Sequence, residues 1–230
     1  MIKVVAFDLD DTLWNVGPVI NRAEKTLYEW LRTNVPEFEY DAHKMREVRD
    51  RVLSQQPELL GRLTELRSRV IECALTDHGV LESKTIATEA MEIFLIARNQ
   101  VEFFDGAINT IIHISAKYQL GALTNGNADI DRLGLSPYFT FAFSAEEVGA
   151  PKPAPNLFHK ALSHTKVKAT EMIYVGDDRV KDIDAANAVG LNTIWLRNKR
   201  RAGSAKSEPD SIIENLSQLP KAIRSIENRE

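Results

Sequence analysis

The chain has 230 residues, 43% apolar and 27% charged, with 29 Lys+Arg against 33 Asp+Glu and a net charge of −4. That is the composition of a folded globular protein of one or two domains, not of a disordered chain. The mildly acidic balance offers no field for nucleic acid or an anionic membrane. One cysteine, Cys73, makes no internal disulfide and falls far short of a zinc-ligand set. No apolar run nears the ~20 residues of a bilayer span, and the apolar stretch between Lys3 and Asp8 is too short for a signal peptide. The expectation is a cytoplasmic protein, monomeric or weakly dimeric, with no nucleic-acid or membrane partner.

In chain order, residues 2–7 read as a buried strand. Over residues 18–98 the period turns helical, with Ile20, Ala23, Leu27 and Leu31 on one stripe. Leu63, Leu66, Val70 and Ala74 form a second stripe, and Ile86, Ala90, Ile93 and Ala97 a third. Pro36, Pro57 and Gly79 punctuate this stretch. Strands return at residues 120–123, 139–143, 172–175 and 192–196, separated by helical segments. The pattern predicts an α/β fold: a doubly wound, Rossmann-like parallel sheet from residues 1–15 and 100–230. An all-helical domain, residues 16–99, is inserted after its first strand. The polar segment 198–210, with Lys199, Arg200 and Arg201, reads as a solvated loop, and 211–226 as a surface helix.

The strongest chemical signal is the placement of acids. Asp8 and Asp10 follow directly on Val4-Val5-Ala6-Phe7, and Asp177 and Asp178 on Ile173-Tyr174-Val175-Gly176. In an open parallel sheet, ligands bind beyond the carboxyl ends of the strands. Asp commonly caps a loop or a helix, but acids arriving together from two strands repel by several kcal/mol at about 4 Å. Oxygen ligands converging in this way suit Mg²⁺.

Asp8-Leu9-Asp10-Asp11-Thr12-Leu13 resembles the first signature of the haloacid dehalogenase-like phosphohydrolase superfamily. Leu123-Thr124-Asn125-Gly126, Lys152-Pro153-Ala154-Pro155 and Gly176-Asp177-Asp178-Arg179-Val180-Lys181-Asp182-Ile183 follow in the order of the other three. The helical insert is similar to that superfamily's α-helical cap. The resemblance implies hydrolysis of a small phosphorylated metabolite through an aspartyl-phosphate. By motif, Asp8 would be the nucleophile and Asp10 the general acid and then base. Mg²⁺ would be held by Asp8, the Asp10 carbonyl and Asp177. Thr124 and the Asn125 N–H would bind phosphoryl oxygens, and Lys152, fixed in a stiff extended segment between Pro151 and Pro153, would supply positive charge. Asp182, with Asp178 beside it, would orient Lys152 or a water on the metal.

Asp10 argues against dehalogenation, because a departing halide needs no acid. Phosphatases and phosphomutases share all four signatures. Substrate choice is expected in the helical insert, where Arg62, Arg67 and Arg69 either form a solvated face or reach the substrate. Trp14 either packs or touches the substrate. Pro18-Val19-Ile20, Pro57-Glu58, Thr124-Asn125-Gly126-Asn127-Ala128 and Gly134-Leu135 before Tyr138-Phe139 are similar to bacterial flavin-pathway phosphatases. Those act on flavin mononucleotide or a phosphorylated ribitylaminouracil. Pyrimidine nucleotides and sugar phosphates are the alternatives.

Overall fold

The computed structural model describes residues 1–197 and 206–229. Strand β1 (Val4–Phe7) is followed by helices α1 (Val16–Asn34), α2 (Ala42–Gln55), α3 (Leu63–Asp77), α4 (Ser83–Arg98) and α5 (Ala107–Ser115). Then come β2 (Gln119–Thr124), β3 (Phe139–Ser144), α6 (Ala145–Val148), α7 (Asn156–Thr165) and β4 (Met172–Gly176). A π-helical turn (Arg179–Asp184), α8 (Ala185–Ala188), β5 (Asn192–Leu196), β6 (Ser211–Ile213) and α9 (Leu219–Glu227) complete the chain. It divides into two compact units, Met1–Asn15 with Glu102–Glu230, and Val16–Val101.

The first unit is a parallel sheet of six strands in the order β3-β2-β1-β4-β5-β6, with helices around it. The chain winds outward from β1 on one side and then from β4 on the other, so the strand order reverses between these two central neighbours. This is the crevice in which an open α/β sheet binds ligands. Val4, Val5, Ala6 and Phe7 are fully buried, as a central strand covered on both faces must be. Val4 and Ala6 pack with Leu157, Phe158 and Ala161 of α7 and Ala185 and Ala186 of α8.

The second unit is helical throughout. Ala23, Leu27 and Leu31 of α1 share one core with Ile71, Ala74 and Leu75 of α3 and Ala87, Ala90, Phe94 and Ala97 of α4. The first predicted stripe is found in this core. Of the second only Ala74 enters it, Leu66 and Val70 joining another cluster while Leu63 is exposed. In the third Ala87 and Phe94 are buried beside Ala90 and Ala97, and Ile86 is only partly buried. Cys73 lies on α3 beside a smaller cluster of Val52, Leu59, Leu66 and Val70.

Two local expectations fail. The closing segment is not one helix: Ser211–Ile213 adds a sixth strand, Trp195 pairing with Ile212 and Leu196 with Ile213, and only Leu219–Glu227 is α-helical. Two consecutive β-branched isoleucines fit the open edge of β5, and Pro220 in the first turn sets where the helix begins. The lysine segment is also not extended: the Ala154 N–H donates to the Pro151 carbonyl at 3.0 Å and closes a turn, and the Lys152–Pro153 bond is cis. Lys199, Arg200 and Arg201 lie outside the described residues.

Gly121 on β2 is a packing requirement, since a Cβ there would lie 2.0 Å from the Phe141 ring of β3. Gly121→Ala is expected to destabilise the fold by about 1–3 kcal/mol, the usual cost of overpacking a core. Urea unfolding, with an unchanged slope and a lower midpoint, is the check.

Candidate active site

Three peptide segments converge at the reversal point. Asp8 leaves the end of β1, its N–H donating to the Val175 carbonyl of β4 at 2.9 Å. Asp177 leaves the end of β4, where the Trp195 indole N–H donates to its carbonyl at 2.9 Å. The π-helical turn then brings Asp182 back beneath Gly176, so closely that a Cβ at 176 would sit 2.4 Å from the Asp182 carboxyl carbon. One carboxylate oxygen from each of Asp8, Asp177 and Asp182 lies within 4.8 Å of the others, and all three residues are buried.

Lys152, on the turn before α7, enters the same pocket with its side chain only 2% exposed. Its Nζ donates to Asp8 Oδ1 at 2.7 Å, to Asp182 Oδ1 at 2.7 Å and to the Tyr174 hydroxyl at 2.6 Å, which engages all three ammonium hydrogens. The Tyr174 hydroxyl in turn donates to the Leu123 carbonyl at 3.0 Å, one residue before Thr124. Burial opposes the lysine's charge, but attraction to Asp182 and Asp8 overrules it and raises its pKa well above the usual value. Burial holds the Tyr174 phenol protonated, far above its ordinary range.

Thr124 and Asn125 stand at the end of β2. Thr124 Oγ1 accepts from the Gly126 N–H at 2.9 Å. The Asn125 amide clamps the backbone of Lys152, donating to its carbonyl at 2.9 Å and accepting from its N–H at 2.7 Å. Asp178 caps the π-helical turn, Oδ1 accepting from the Val180 and Lys181 N–H groups, each at 2.9 Å. Its own N–H donates to Asp182 Oδ2 at 2.9 Å. Asp10 accepts from the Trp14 indole N–H at 2.9 Å. Asp11 takes the left-handed turn conformation, with φ 61°.

Arg62, Arg67 and Arg69 engage acids within the helical unit. Arg62, at the N-cap of α3, pairs with Glu65, and Arg69 pairs with Glu72 on α3, each a partly exposed i,i+3 pair. Arg67 pairs with Glu24 of α1 and lies over the Phe94 ring of α4, 4.0 Å from its centroid.

Two participants escaped the sequence analysis. Thr12, fully buried, donates to Asp8 Oδ2 at 3.3 Å, and Tyr174 joins Lys152 to β2. The signal for Tyr174 was a single hydroxyl inside an otherwise apolar buried strand, which requires a partner. Nothing in the sequence of Thr12 separates it from an ordinary turn residue.

Three buried carboxylates against one ammonium leave an excess of negative charge, and their donors are all hard oxygens. The residues therefore fit a divalent cation.

The sequence profile of the haloacid dehalogenase-like hydrolases matches residues 2–190, which include the whole pocket. The chain belongs to that family. It is 31% identical over 199 residues to the 5-amino-6-(5-phospho-D-ribitylamino)uracil phosphatase YigB of Escherichia coli K12, covering 85% of this chain and 84% of that protein. It is 29% identical over 229 residues to a glyceraldehyde 3-phosphate phosphatase of Pyrococcus furiosus, covering 95% and 91%. A crystal structure described as a 2-haloacid dehalogenase from Pseudomonas syringae pv. tomato DC3000 superposes with a TM-score of 0.93 at 41% identity, covering 98% of this chain and 99% of that one. As a haloacid dehalogenase-like hydrolase, the protein is an enzyme, and the pocket lies at the ends of β1 and β4, the position at which open α/β sheets generally bind ligands.

Burial raises the Asp8 carboxyl to about 7; the neighbouring Asp182 and Asp10 add to that rise and Lys152 opposes it. Below that pH a cation must displace a proton from the metal-free protein. Its apparent affinity is expected to weaken as pH falls from about 8 to 6, approaching tenfold per unit at the acid end. Calorimetry in buffers of different ionisation enthalpy checks this, with proton release on binding as the expected result.

Proposed function

We propose that the protein is a Mg²⁺-dependent phosphatase acting on a small phosphorylated metabolite through an aspartyl-phosphate on Asp8. The observation that carries the reading is the buried Lys152 ammonium, 2.7 Å from Asp8 Oδ1 beside the carboxylate triad. Asp8 and Asp177, with the Asp10 carbonyl, would hold the ion, and Asp182 beside them would orient Lys152 or a water on the ion. Bound there, Mg²⁺ supplies positive charge that offsets the repulsion between Asp8 and a phosphate dianion.

The chain's own groups do the rest. Asp8 attacks phosphorus, and the bond from phosphorus to the leaving oxygen breaks. Asp10 gives that oxygen a proton, then takes one from the water that attacks the phosphoaspartate, releasing phosphate and restoring Asp8. Lys152 steadies the charge on the transferring group, while the Thr124 hydroxyl and Asn125 N–H bind its oxygens. Asp182 and Tyr174 keep the ammonium aimed, and Asp178 holds Asp182 in place.

The helical unit would select the substrate. Ion pairs as accessible as these contribute little, so a substrate anion would be able to displace Glu65 from Arg62 or Glu72 from Arg69. Arg67, paired with Glu24 and stacked on Phe94, serves the unit's own packing. The relation to YigB favours 5-amino-6-(5-phospho-D-ribitylamino)uracil or flavin mononucleotide as substrate. A pyrimidine nucleotide or sugar phosphate is the alternative, and a phosphomutase a more distant one. A cytoplasmic monomer or weak dimer accords with this reading.

The description of the Pseudomonas syringae structure favours a second reading, haloacid dehalogenation. Asp10 opposes it, because halide leaves without a proton and the acid would then have no task. Both curated relatives above are, moreover, named as phosphatases.

A panel of phosphorylated metabolites and 2-haloacids, assayed for phosphate and halide, separates these readings. Phosphate release is expected with Mg²⁺, is abolished by chelator and is lost in Asp8→Asn. Asp10→Asn should slow it by roughly 10²–10⁴-fold. Halide release without phosphate release would overturn the phosphatase reading, and flavin mononucleotide ranking among the poorest substrates would remove the flavin assignment.

A further inference from the structure

We infer that Trp14 is a positioning residue for Asp10, its indole N–H orienting the carboxylate that exchanges protons with the leaving group and with water. The inference rests on the phosphatase reading and adds to it a determinant of which leaving groups are handled well.

The geometry begins in the turn after Asp8. Asp11, with φ 61°, reverses the chain, and the Thr12 and Leu13 N–H groups both donate to the Leu9 carbonyl, at 3.2 and 2.8 Å. Residue 14 thereby returns beside residue 10, and the Trp14 Nε1–H donates to Asp10 Oδ1 at 2.9 Å.

Both the indole and its backbone are held in place. It is fully buried, and it meets the Phe103 ring edge to face, centroids 5.7 Å apart and planes at 82°. Its backbone bridges to Asp10 on one side and Phe103 on the other. The Trp14 carbonyl accepts from the Asp11 N–H at 2.8 Å, and the adjacent Leu13 carbonyl from the Phe104 N–H at 2.8 Å. Asp10, by contrast, is only partly buried. The indole N–H is therefore a rigid donor set against a side chain with more freedom to move.

An indole N–H only donates. Oδ1 therefore acts as its acceptor, and the transferable proton is assigned to Oδ2. In the first half-reaction the Oδ2–H bond breaks as the bond from phosphorus to the leaving oxygen breaks, and the proton passes to that oxygen. In the second, Oδ2 takes a proton from the attacking water. A phenyl ring at position 14 would fill much of the same space without donating to Oδ1.

The test is Trp14→Phe, which keeps an aromatic ring against Phe103 and removes the donor. Two substrates are compared: p-nitrophenyl phosphate, whose leaving group departs without a proton, and the alkyl phosphomonoester that wild type turns over best. Loss of positioning is expected to lower kcat/KM about tenfold or more for the alkyl ester and less than about threefold for p-nitrophenyl phosphate. Equal losses on both substrates, or none, would overturn the inference while leaving the phosphatase reading intact. A wild type with no phosphatase turnover would overturn both.

If Trp14→Phe does not fold by circular dichroism, Asp10→Ala supplies the measurement. In its ¹⁵N–¹H spectrum the Trp14 indole resonance should shift and lose slow exchange, while those of Trp30 and Trp195 stay in place. An unmoved Trp14 resonance would overturn the inference.

Discussion

A buried ammonium has to be surrounded before it can exist, and the active end of this sheet is organised around that constraint. Lys152 has its three hydrogens on Asp8, Asp182 and Tyr174 at 2.6–2.7 Å. Each acceptor comes from a different place: the end of β1, the π-helical turn and the middle of β4. Leaving a charge of this kind without a partner costs about 3–5 kcal/mol. The lysine therefore ties the three segments together as firmly as apolar packing does elsewhere. The same contacts put a positive charge against Asp8, the carboxylate that carries the chemistry in the proposed mechanism.

The surrounding hydrogen bonds extend that order outward. Tyr174 connects the ammonium to the end of β2 through the Leu123 carbonyl, and Asn125 clamps the lysine's backbone from the same strand. Asp178 caps the turn that delivers Asp182 and donates its N–H to it. Gly176 leaves room for Asp182 to approach the strand end. The side chains that meet phosphate, nucleophile and cation in the proposed mechanism are thus supported by others that touch none of them. Such support keeps catalytic groups aimed where charge develops.

The chain is similar both to relatives named as phosphatases and to a structure described as a dehalogenase, so the fold alone does not choose the reaction. In the proposed mechanism the choice turns on the acid two residues beyond Asp8. An alkyl phosphate needs a proton on its leaving oxygen and a halide does not. In this chain that acid is present and held by a buried indole.

The parallel α/β core, the helical insert and the acids at two strand ends are all legible in the amino-acid sequence, because each is written locally. Buried strands announce themselves as unbroken apolar runs such as 172–175, helices as repeating stripes such as Ala23, Leu27 and Leu31, and the acids stand directly after the runs. Only the tertiary structure decided that Ser211–Ile213 is a strand, since two isoleucines become an edge strand only when β5 offers them a partner. It alone decided the company of Lys152, where Tyr174 is 22 residues away in sequence and Asp8 is 144. It alone showed Trp14 bonded to Asp10. A left-handed residue at position 11 folds the chain back on itself there, and periodicity carries no trace of a single turn.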